Sequence, residues 1–288
     1  MLYEVQITHC PRDEVDRISE ALEEKSALSI TWTDLFDDPI FEPKPGEIPL
    51  WPHVVITALF DDLTLAQDAM SAYSSLTCRL TPLEAQEWEK TCVADFKAQC
   101  FGEHLWICPS WDTVEDPHAK VVTLDPGLAF GTGTHPTTAL CLRYLAHADL
   151  AHRTLIDYGC GSGILSLAAL KLGAQHVQAV DLDPQALLAT ADNAKNNHIT
   201  NEQLCMFLPD HPLQAVDLII ANILLTPLIA LKTVFYDRLK PQGRLVVSGL
   251  LKEQIPILQA AYEGHFVVID TQVEGDWALM IFENNSIK

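Results

Sequence analysis

The first 82 residues alternate short apolar runs with longer helical segments, a pattern that predicts a small two-layer domain. Val15, Ile18 and Leu22 recur at helical spacing and predict one apolar helix face within residues 13–25. A second helix is predicted at residues 63–74. The remaining apolar runs are short, which predicts strands at residues 2–9, 28–33, 53–60 and 77–81. This order, strand–helix–strand repeated twice, indicates a ferredoxin-like α+β domain.

Residues 83–104 are predicted as a linker helix, and residues 105–288 as a second domain in which strands and helices alternate. Residues 216–221 form a continuous apolar run, which is typical of a parallel strand buried on both faces. Other strands are predicted at residues 154–157, 176–181 and 204–207, with helices at 164–172 and 184–197. Residues 244–248, 253–262, 266–270 and 277–282 are predicted to complete the sheet, the last two as an antiparallel pair. The pattern indicates an α/β domain of Rossmann-like type with a mostly parallel, seven-stranded sheet.

A glycine-rich turn follows the predicted strand at residues 154–157 and is the strongest functional signal in the chain. Gly159, Gly161 and Gly163 allow the backbone to approach a ligand closely. A dinucleotide-binding turn would carry its third glycine at the position of Ile164, and Asp157 stands two residues before the first glycine. The resulting D-x-G-x-G-x-G spacing favours S-adenosylmethionine, whose methionine part the turn would surround while Asp157 helps to hold the amino group.

Two further polar residues stand at strand ends in the same domain. Asp181 closes the second predicted strand about 20 residues after Gly159, where a carboxylate can accept both ribose hydroxyls of a nucleoside. Asp183 is the nearby alternative, but the residue that closes the apolar strand is favoured. Asn222 follows the run 216–221, and we predict that its amide accepts from an amine or holds the methionine end of the cofactor. The alternative is that Asn222 caps the next helix.

The segment PGLAFGTGTHPTT at residues 126–138 is rich in glycine and threonine, which is typical of a loop that faces a ligand. Pro136 favours the first turn of a helix, so Thr138 is expected near a helix N-terminus, where it could hydrogen-bond a ligand. His135 is either a ligand contact or a residue that starts this helix.

The amino-acid composition limits which partners and which cellular location are expected. Hydrophobic residues make up 48% of the chain, enough for real cores, and the formal net charge of −21 disfavours direct nucleic-acid binding. The longest apolar stretch, residues 218–231, is shorter than the roughly 20 residues that span a bilayer, so no membrane contact is expected. Eight cysteines without a C-x-x-C pair, and no H-E-x-x-H, predict free thiols, a cytoplasmic protein and no metal site.

Five segments together resemble one family. LWICPSW, PGLAFGTGTHPTT, IDYGCGSGIL, VDLDP and ANILLTPL are similar to segments of the bacterial ribosomal protein L-eleven methyltransferase family, and the likeness runs from about Trp88 to the C-terminus. Residues 1–82 correspond in size and element order to that family's substrate-binding domain.

The resemblance implies a monomeric, cytoplasmic enzyme that uses S-adenosylmethionine. Its substrate would be one basic protein of the large ribosomal subunit, methylated on its α-amine and on lysine ε-amines. Motif positions give Thr138, Gly159, Asp181 and Asn222 as cofactor contacts, with Gly161 in the same turn. Asn222 is also the expected catalytic residue.

Three other functions are compatible with parts of the pattern. The first is a methyltransferase of the same fold that acts on another protein or on a small amine. The second is a binding module that holds the cofactor without turnover and recruits a ribosomal protein. The third is an NAD dehydrogenase, which Ile164 disfavours because a dinucleotide-binding turn would carry glycine there.

Overall fold

The computed structural model describes residues 2–36, 50–73, 76–83, 97–125 and 135–285. The chain divides into two compact units, Met1–Cys92 and Val93–Lys288. Most of the predicted linker helix and residues 126–134 of the predicted ligand-facing loop lie outside the described residues. Each unit is described by itself.

The first unit contains four strands and two helices. They are β1 Leu2–Pro11, α1 Val15–Glu24, β2 Ser29–Asp34, β3 His53–Phe60, α2 Leu63–Ala72 and β4 Thr77–Leu83. A 3₁₀ turn at Arg12–Glu14 leads into α1. All strand pairs are antiparallel, in the order β2-β3-β1-β4. This topology confirms the predicted ferredoxin-like domain.

The helices of the first unit pack on one face of its sheet. Val15, Ile18 and Leu22 of α1 are fully buried, as their spacing predicts. They join Val5 and Ile7, alternate residues of β1, in one apolar core. The two periodicities, near four in the helix and two in the strand, therefore meet at a shared interface.

The second unit begins with a small three-stranded sheet, β5 Gln99–Phe101, β6 Leu105–Cys108 and β7 Lys120–Thr123. The prediction of helix through residue 104 is therefore wrong at its end. Phe101 is a buried apolar residue, and Gly102 takes a φ of 72°, so the chain turns back and β5 pairs with β6 as a hairpin.

The main sheet of the second unit has seven strands, in the order β10-β9-β8-β11-β12-β14-β13. They are β8 Thr154–Tyr158, β9 His176–Val180, β10 Leu204–Phe207, β11 Val216–Asn222, β12 Leu239–Leu251, β13 Phe266–Glu274 and β14 Trp277–Asn284. Only β14 runs antiparallel to its neighbours in this sheet. The predicted mostly parallel, seven-stranded sheet is confirmed.

Six helices accompany this sheet in the described part of the unit. They are α3 Pro136–His147, α4 Ile164–Lys171, α5 Pro184–Asn196, α6 Leu225–Ala230, α7 Lys232–Arg238 and α8 Ile255–Tyr262. The assignment of residues 253–262 to the sheet is wrong, because a 3₁₀ turn and α8 occupy them. Pro256 suits the first helical turn, and Leu258 and Tyr262 bury one helix face at a spacing of four. No helix among the described residues is long and apolar enough to cross a membrane.

Both faces of the main sheet are covered by apolar side chains. Leu155 and Ile220 belong to one core, and their strand neighbours Ile156 and Ile219 belong to the core on the other face. The chain leaves β8 toward β9 on one side of the sheet, whereas β11 lies on its other side. Such a reversal of strand order opens a crevice at the carboxyl ends of the strands, where α/β proteins bind ligands.

Candidate active site

A cavity of about 570 Å³ lies at the carboxyl ends of β8 and β11. Gly159 and Asp181 line it after β8 and β9, and Asn222 lines it at the end of β11. Trp277, the first residue of β14, contributes an aromatic wall. Three of the five predicted cofactor contacts thus come together at one cavity, although they come from three strands.

The glycine turn adopts a backbone that other residues rarely reach. Gly159, Gly161 and Gly163 have φ values of 78°, 54° and 79°. A Cβ on Gly159 would lie 2.3 Å from Cγ2 of Ile223, and one on Gly163 would lie 2.8 Å from Cγ2 of Thr190. The first glycine therefore lets the turn pack against Ile223, which follows β11, and the third lets α5 pack against the turn. Gly161 is not among the described residues that line the cavity.

Helix α5 holds the glycine turn from behind. Thr190, which is fully buried, donates from Oγ1 to the carbonyl oxygen of Gly161 at 3.0 Å. Asn193 donates from Nδ2 to the carbonyl oxygen of Ser162 at 2.9 Å. These bonds fix the carbonyl groups of the turn on the α5 side. Sequence reasoning missed both residues, because nothing in the local pattern of α5 distinguishes them.

Asp157, the fourth residue of β8, is 1% exposed and is not among the described residues that line the cavity. Its Oδ2 accepts from the backbone N–H and the hydroxyl of Ser166, at 3.0 and 2.7 Å. Its Oδ1 has no hydrogen-bond partner among the described residues. Burial raises the pKa of Asp157 to about 6; the bonds from Ser166 oppose the shift and the nearby charge of Asp181 adds to it. An unpaired buried carboxylate of this kind fits a cationic group.

Asp181 and Asp183, the two acidic candidates, have different positions. Asp181 lines the cavity and accepts from the backbone N–H groups of Gly161, at 2.9 Å, and of Asp183, at 3.0 Å. Each of its oxygens accepts one such bond, which leaves lone pairs for hydroxyl donors. Asp183 instead caps α5 by accepting from the backbone N–H of Gln185 at 2.9 Å.

Asn222 ends β11 and its side chain contacts a buried threonine. Nδ2 of Asn222 donates to Oγ1 of Thr138 at 3.2 Å. Leu224, not Asn222, stands at the N-cap of α6, which receives no side-chain hydrogen bond. The alternative of Asn222 as a helix cap is therefore wrong. Thr138 is 1% exposed and is not among the described residues that line the cavity.

His135 combines the two roles that the sequence left open. It is the N-cap of α3, where Nδ1 accepts from the backbone N–H of Thr137 at 3.3 Å. It also lines the cavity, with its ring edge-on to Trp277 at a centroid distance of 4.8 Å. Burial lowers the pKa of His135, which favours the neutral ring. Sequence reasoning missed Trp277, because an aromatic residue opening an apolar strand is ordinary core composition.

Cys160, inside the glycine turn, is a packing residue. It is buried, its Sγ lies 3.5 Å from Oγ1 of Thr190, and burial raises the pKa of its thiol. A reactive cysteine needs the opposite environment, in which the thiolate is stabilised. Within the described ranges, no group of three or more His, Cys, Asp or Glu side chains could hold a metal ion.

A mostly parallel seven-stranded sheet with one antiparallel strand, and a cavity between a glycine turn and an acidic strand end, define a class of enzyme. This combination is that of the class I S-adenosylmethionine-dependent methyltransferases. The family model described as Ribosomal protein L11 methyltransferase (PrmA) matches residues 2–285. The chain therefore belongs to the ribosomal protein L11 methyltransferase family.

Individual relatives agree with this assignment. The chain is 51% identical over 286 residues to the ribosomal protein L11 methyltransferase of Legionella pneumophila (strain Corby), covering 98% of this chain and 99% of the relative. It is 45% identical over 271 residues to the protein of the same name from Alteromonas mediterranea, covering 91% and 92%. The crystal structure of ribosomal protein L11 methylase from Lactobacillus delbrueckii subsp. bulgaricus is 31% identical, with a TM-score of 0.61, covering 66% of this chain and 100% of that one.

The hydrogen bond from Thr190 to the glycine turn can be tested with Thr190→Val, which keeps a side chain of similar shape and removes its hydroxyl. The carbonyl of Gly161 then loses its donor, and we expect S-adenosylhomocysteine to bind about three- to tenfold more weakly by isothermal titration calorimetry. Thr190→Ser keeps the hydroxyl and should bind like the wild type. Equal affinity in the valine variant and the wild type would contradict a role in shaping the turn.

Proposed function

We propose that this chain transfers methyl groups from S-adenosylmethionine to the α-amine and lysine ε-amines of ribosomal protein L11. We also propose that the protein is a monomer and acts in the cytoplasm. The observation that carries it is the convergence of Gly159, Asp181 and Asn222 at one cavity, with the buried Asp157 two residues before the turn, in a chain that belongs to the ribosomal protein L11 methyltransferase family. The same side chains would have little reason to converge in a purely structural domain.

The residues present fit the cofactor. Asp181 is suited to the ribose hydroxyls, because both of its oxygens retain acceptor capacity. Asp157 is suited to the amino group of the methionine part, because its Oδ1 is buried and unpaired among the described residues. Gly159 lets the turn pack directly against Ile223 beside the cavity, since any side chain there would collide with Ile223. When bound, the cofactor supplies a methyl group on a positively charged sulfur.

The protein's own contribution to the chemistry would be positioning and desolvation. A free lysine amine has a pKa of about 10.4 and must lose its proton before it can attack a methyl group. Leu224, Pro227 and Trp277 give the cavity an apolar wall, and removal from water lowers the pKa of an amine. Nδ1 of His135 already accepts from Thr137, so we assign no general base and let the proton leave to water.

The first unit is the proposed recognition module for the protein substrate. Residues 1–60 contain 12 Asp and Glu against 4 Lys and Arg. Asp16, Glu20 and Glu23 of α1 are exposed, on the side of the helix away from its buried apolar face. An acidic surface attracts a basic partner such as a ribosomal protein and repels nucleic acid.

The proposed function is tested by transfer of labelled methyl from S-adenosylmethionine to ribosomal proteins from cells that lack this enzyme. We expect label on a single large-subunit protein, identified as L11 and mapped by mass spectrometry to its α-amine and lysines. Label on another protein or on a small amine would show that the enzyme catalyses methyl transfer to a different acceptor. Cofactor binding without any transfer would instead support a recruiting module.

Asn222→Ala tests the proposed catalytic residue. We expect kcat to fall on the order of 10–100-fold, because the amine loses an orienting acceptor, while the dissociation constant of S-adenosylhomocysteine changes much less. Asn201→Ala, at an exposed position in the same unit, is the matched control and should behave like the wild type. An unchanged kcat in Asn222→Ala would contradict a catalytic role for Asn222.

The charge of Asp157 gives cofactor binding a specific pH dependence. Because its pKa is raised to about 6, the carboxylate is ionised at neutral pH and takes up a proton as the pH falls through 6. Between pH 7.5 and 5 the affinity for S-adenosylhomocysteine should therefore fall by up to about tenfold in the wild type.

The same titration in Asp157→Asn should be nearly flat and should start from a weaker affinity, since the variant carries no charge to lose. His135 is present in both proteins, so its own titration cancels in the comparison. Parallel pH profiles for the two proteins would contradict a contact between Asp157 and the cofactor's amino group.

A further inference from the structure

Strand β12 carries a bulge where it borders the cavity. Ser248 pairs with Leu279 of β14, and the next pair joins Leu250 to Ala278. Gly249 between them is therefore the extra residue of a β-bulge, and its φ of 85° is left-handed. Gly249 also lines the cavity. Bulges beside active sites bend a strand and redirect its neighbours, so this one can act on the side chains around it.

The bulge brings β12 into close contact with the residue that follows β11. A Cβ on Gly249 would lie 2.5, 2.8 and 2.9 Å from the carbonyl oxygen, carbonyl carbon and nitrogen of Ile223. These are backbone atoms, which cannot move aside as the end of a flexible side chain can. Glycine at 249 therefore fixes how near β12 comes to the backbone that carries Asn222, the residue before Ile223.

Ser248, which is fully buried, is bonded to both strands that flank the bulge. Its carbonyl oxygen accepts from the backbone N–H of Ile223 at 3.2 Å. Its Oγ donates to the carbonyl oxygen of Ala278 at 2.9 Å. Asn222 directly precedes Ile223 and lines the cavity from β11. Trp277 directly precedes Ala278 and lines the cavity from β14, so Ser248 connects the neighbours of two cavity residues.

The distance between these two cavity residues matters for methyl transfer. The acceptor amine must approach the methyl group in line with the bond to sulfur, between the orienting amide of Asn222 and the apolar wall at Trp277. A misplacement of about 1 Å can cost on the order of 100-fold in rate. The glycine turn is held by hydrogen bonds from α5 and to Asp181, so a change in the bulge should affect turnover more than cofactor binding.

We propose that Ser248 and Gly249 are positioning residues, whose bulge sets the separation between Asn222 and Trp277 and thereby the path of the acceptor amine. This inference rests on the proposed role of Asn222 in methyl transfer. Gly249 acts through the backbone of Ile223, and Ser248 acts through its bonds to Ile223 and Ala278.

The first test compares Gly249→Ala with Gly264→Ala, using ribosomal protein L11 as the acceptor. Gly264 has a φ of 84°, but a Cβ there meets no atom of the described residues within 4 Å. Both variants thus strain a left-handed backbone, and only Gly249→Ala adds a collision. Gly249→Ala should lower kcat on the order of 10–100-fold and leave the dissociation constant of S-adenosylhomocysteine within about threefold.

Gly264→Ala should keep the kcat of the wild type. Equal losses of kcat in the two alanine variants would show that backbone strain alone is responsible, and would overturn the inference. A loss of S-adenosylhomocysteine affinity in Gly249→Ala as large as its loss of kcat would overturn it too, because the bulge would then shape the cofactor site.

Ser248→Ala tests the same bulge without a collision, and it decides the question if Gly249→Ala does not fold. The carbonyl of Ala278 loses the hydroxyl donor, so kcat should fall about three- to tenfold, with S-adenosylhomocysteine affinity within about twofold of the wild type. Ser248→Thr keeps the hydroxyl and should restore kcat. A wild-type kcat in Ser248→Ala would overturn the inference.

A readout without turnover separates this inference from the proposed function. The side-chain amide resonances of Asn222 and the indole N–H resonance of Trp277 can be assigned by their loss in Asn222→Ala and Trp277→Phe. Both sets should shift in ¹⁵N spectra of Ser248→Ala and stay in place in Gly264→Ala. Shifted resonances in a protein that does not methylate L11 would support the bulge and refute the acceptor. Unmoved resonances would overturn the inference whatever the acceptor.

Discussion

The left-handed glycine turn at residues 159–163 is the constraint on which the rest of the site depends. Its backbone is held on one side by α5, through Thr190 and Asn193, and on the other by the carboxylate of Asp181. Glycine is required because a Cβ at residue 159 or 163 would collide with a neighbouring element. Once this turn is fixed, the ends of three parallel strands face one cavity, and strand-end polar residues become a binding site.

The surroundings of the cavity combine charged and apolar side chains, which suit different parts of the proposed reaction. Beside the glycine turn, the carboxylate of Asp181 lines the cavity, and the carboxylate of Asp157 is buried next to the turn, where it accepts from Ser166. Apolar residues such as Leu224 and Trp277 form another part of the wall, where an acceptor amine would lose its water. Proximity and desolvation are large effects for a displacement on carbon, so a site of this kind needs few reactive side chains.

The proposed recognition surface and the cavity belong to different units of the chain. The first unit has a compact core of its own and an acidic exposed surface, whereas the glycine turn and the cavity belong to the second. The substrate-recognition role that we propose for the first unit requires only long-range attraction of a basic partner. The second unit must hold single atoms in place, and the buried hydrogen bonds from Ser166 to Asp157 are of the kind that fix geometry.

The sequence by itself determined what is encoded over a few neighbouring residues: the helix and strand periods, the glycine turn, and the polar residues that close strands, Asp181 and Asn222. It failed where a turn redirected the chain, as at Gly102, because one left-handed residue made a hairpin from a predicted helix. Only the tertiary structure decided which distant residues touch. Thr138 and Asn222 are 84 positions apart, so no local pattern shows that their side chains touch. Trp277 comes from the end of the chain, so no local pattern places it at the cavity.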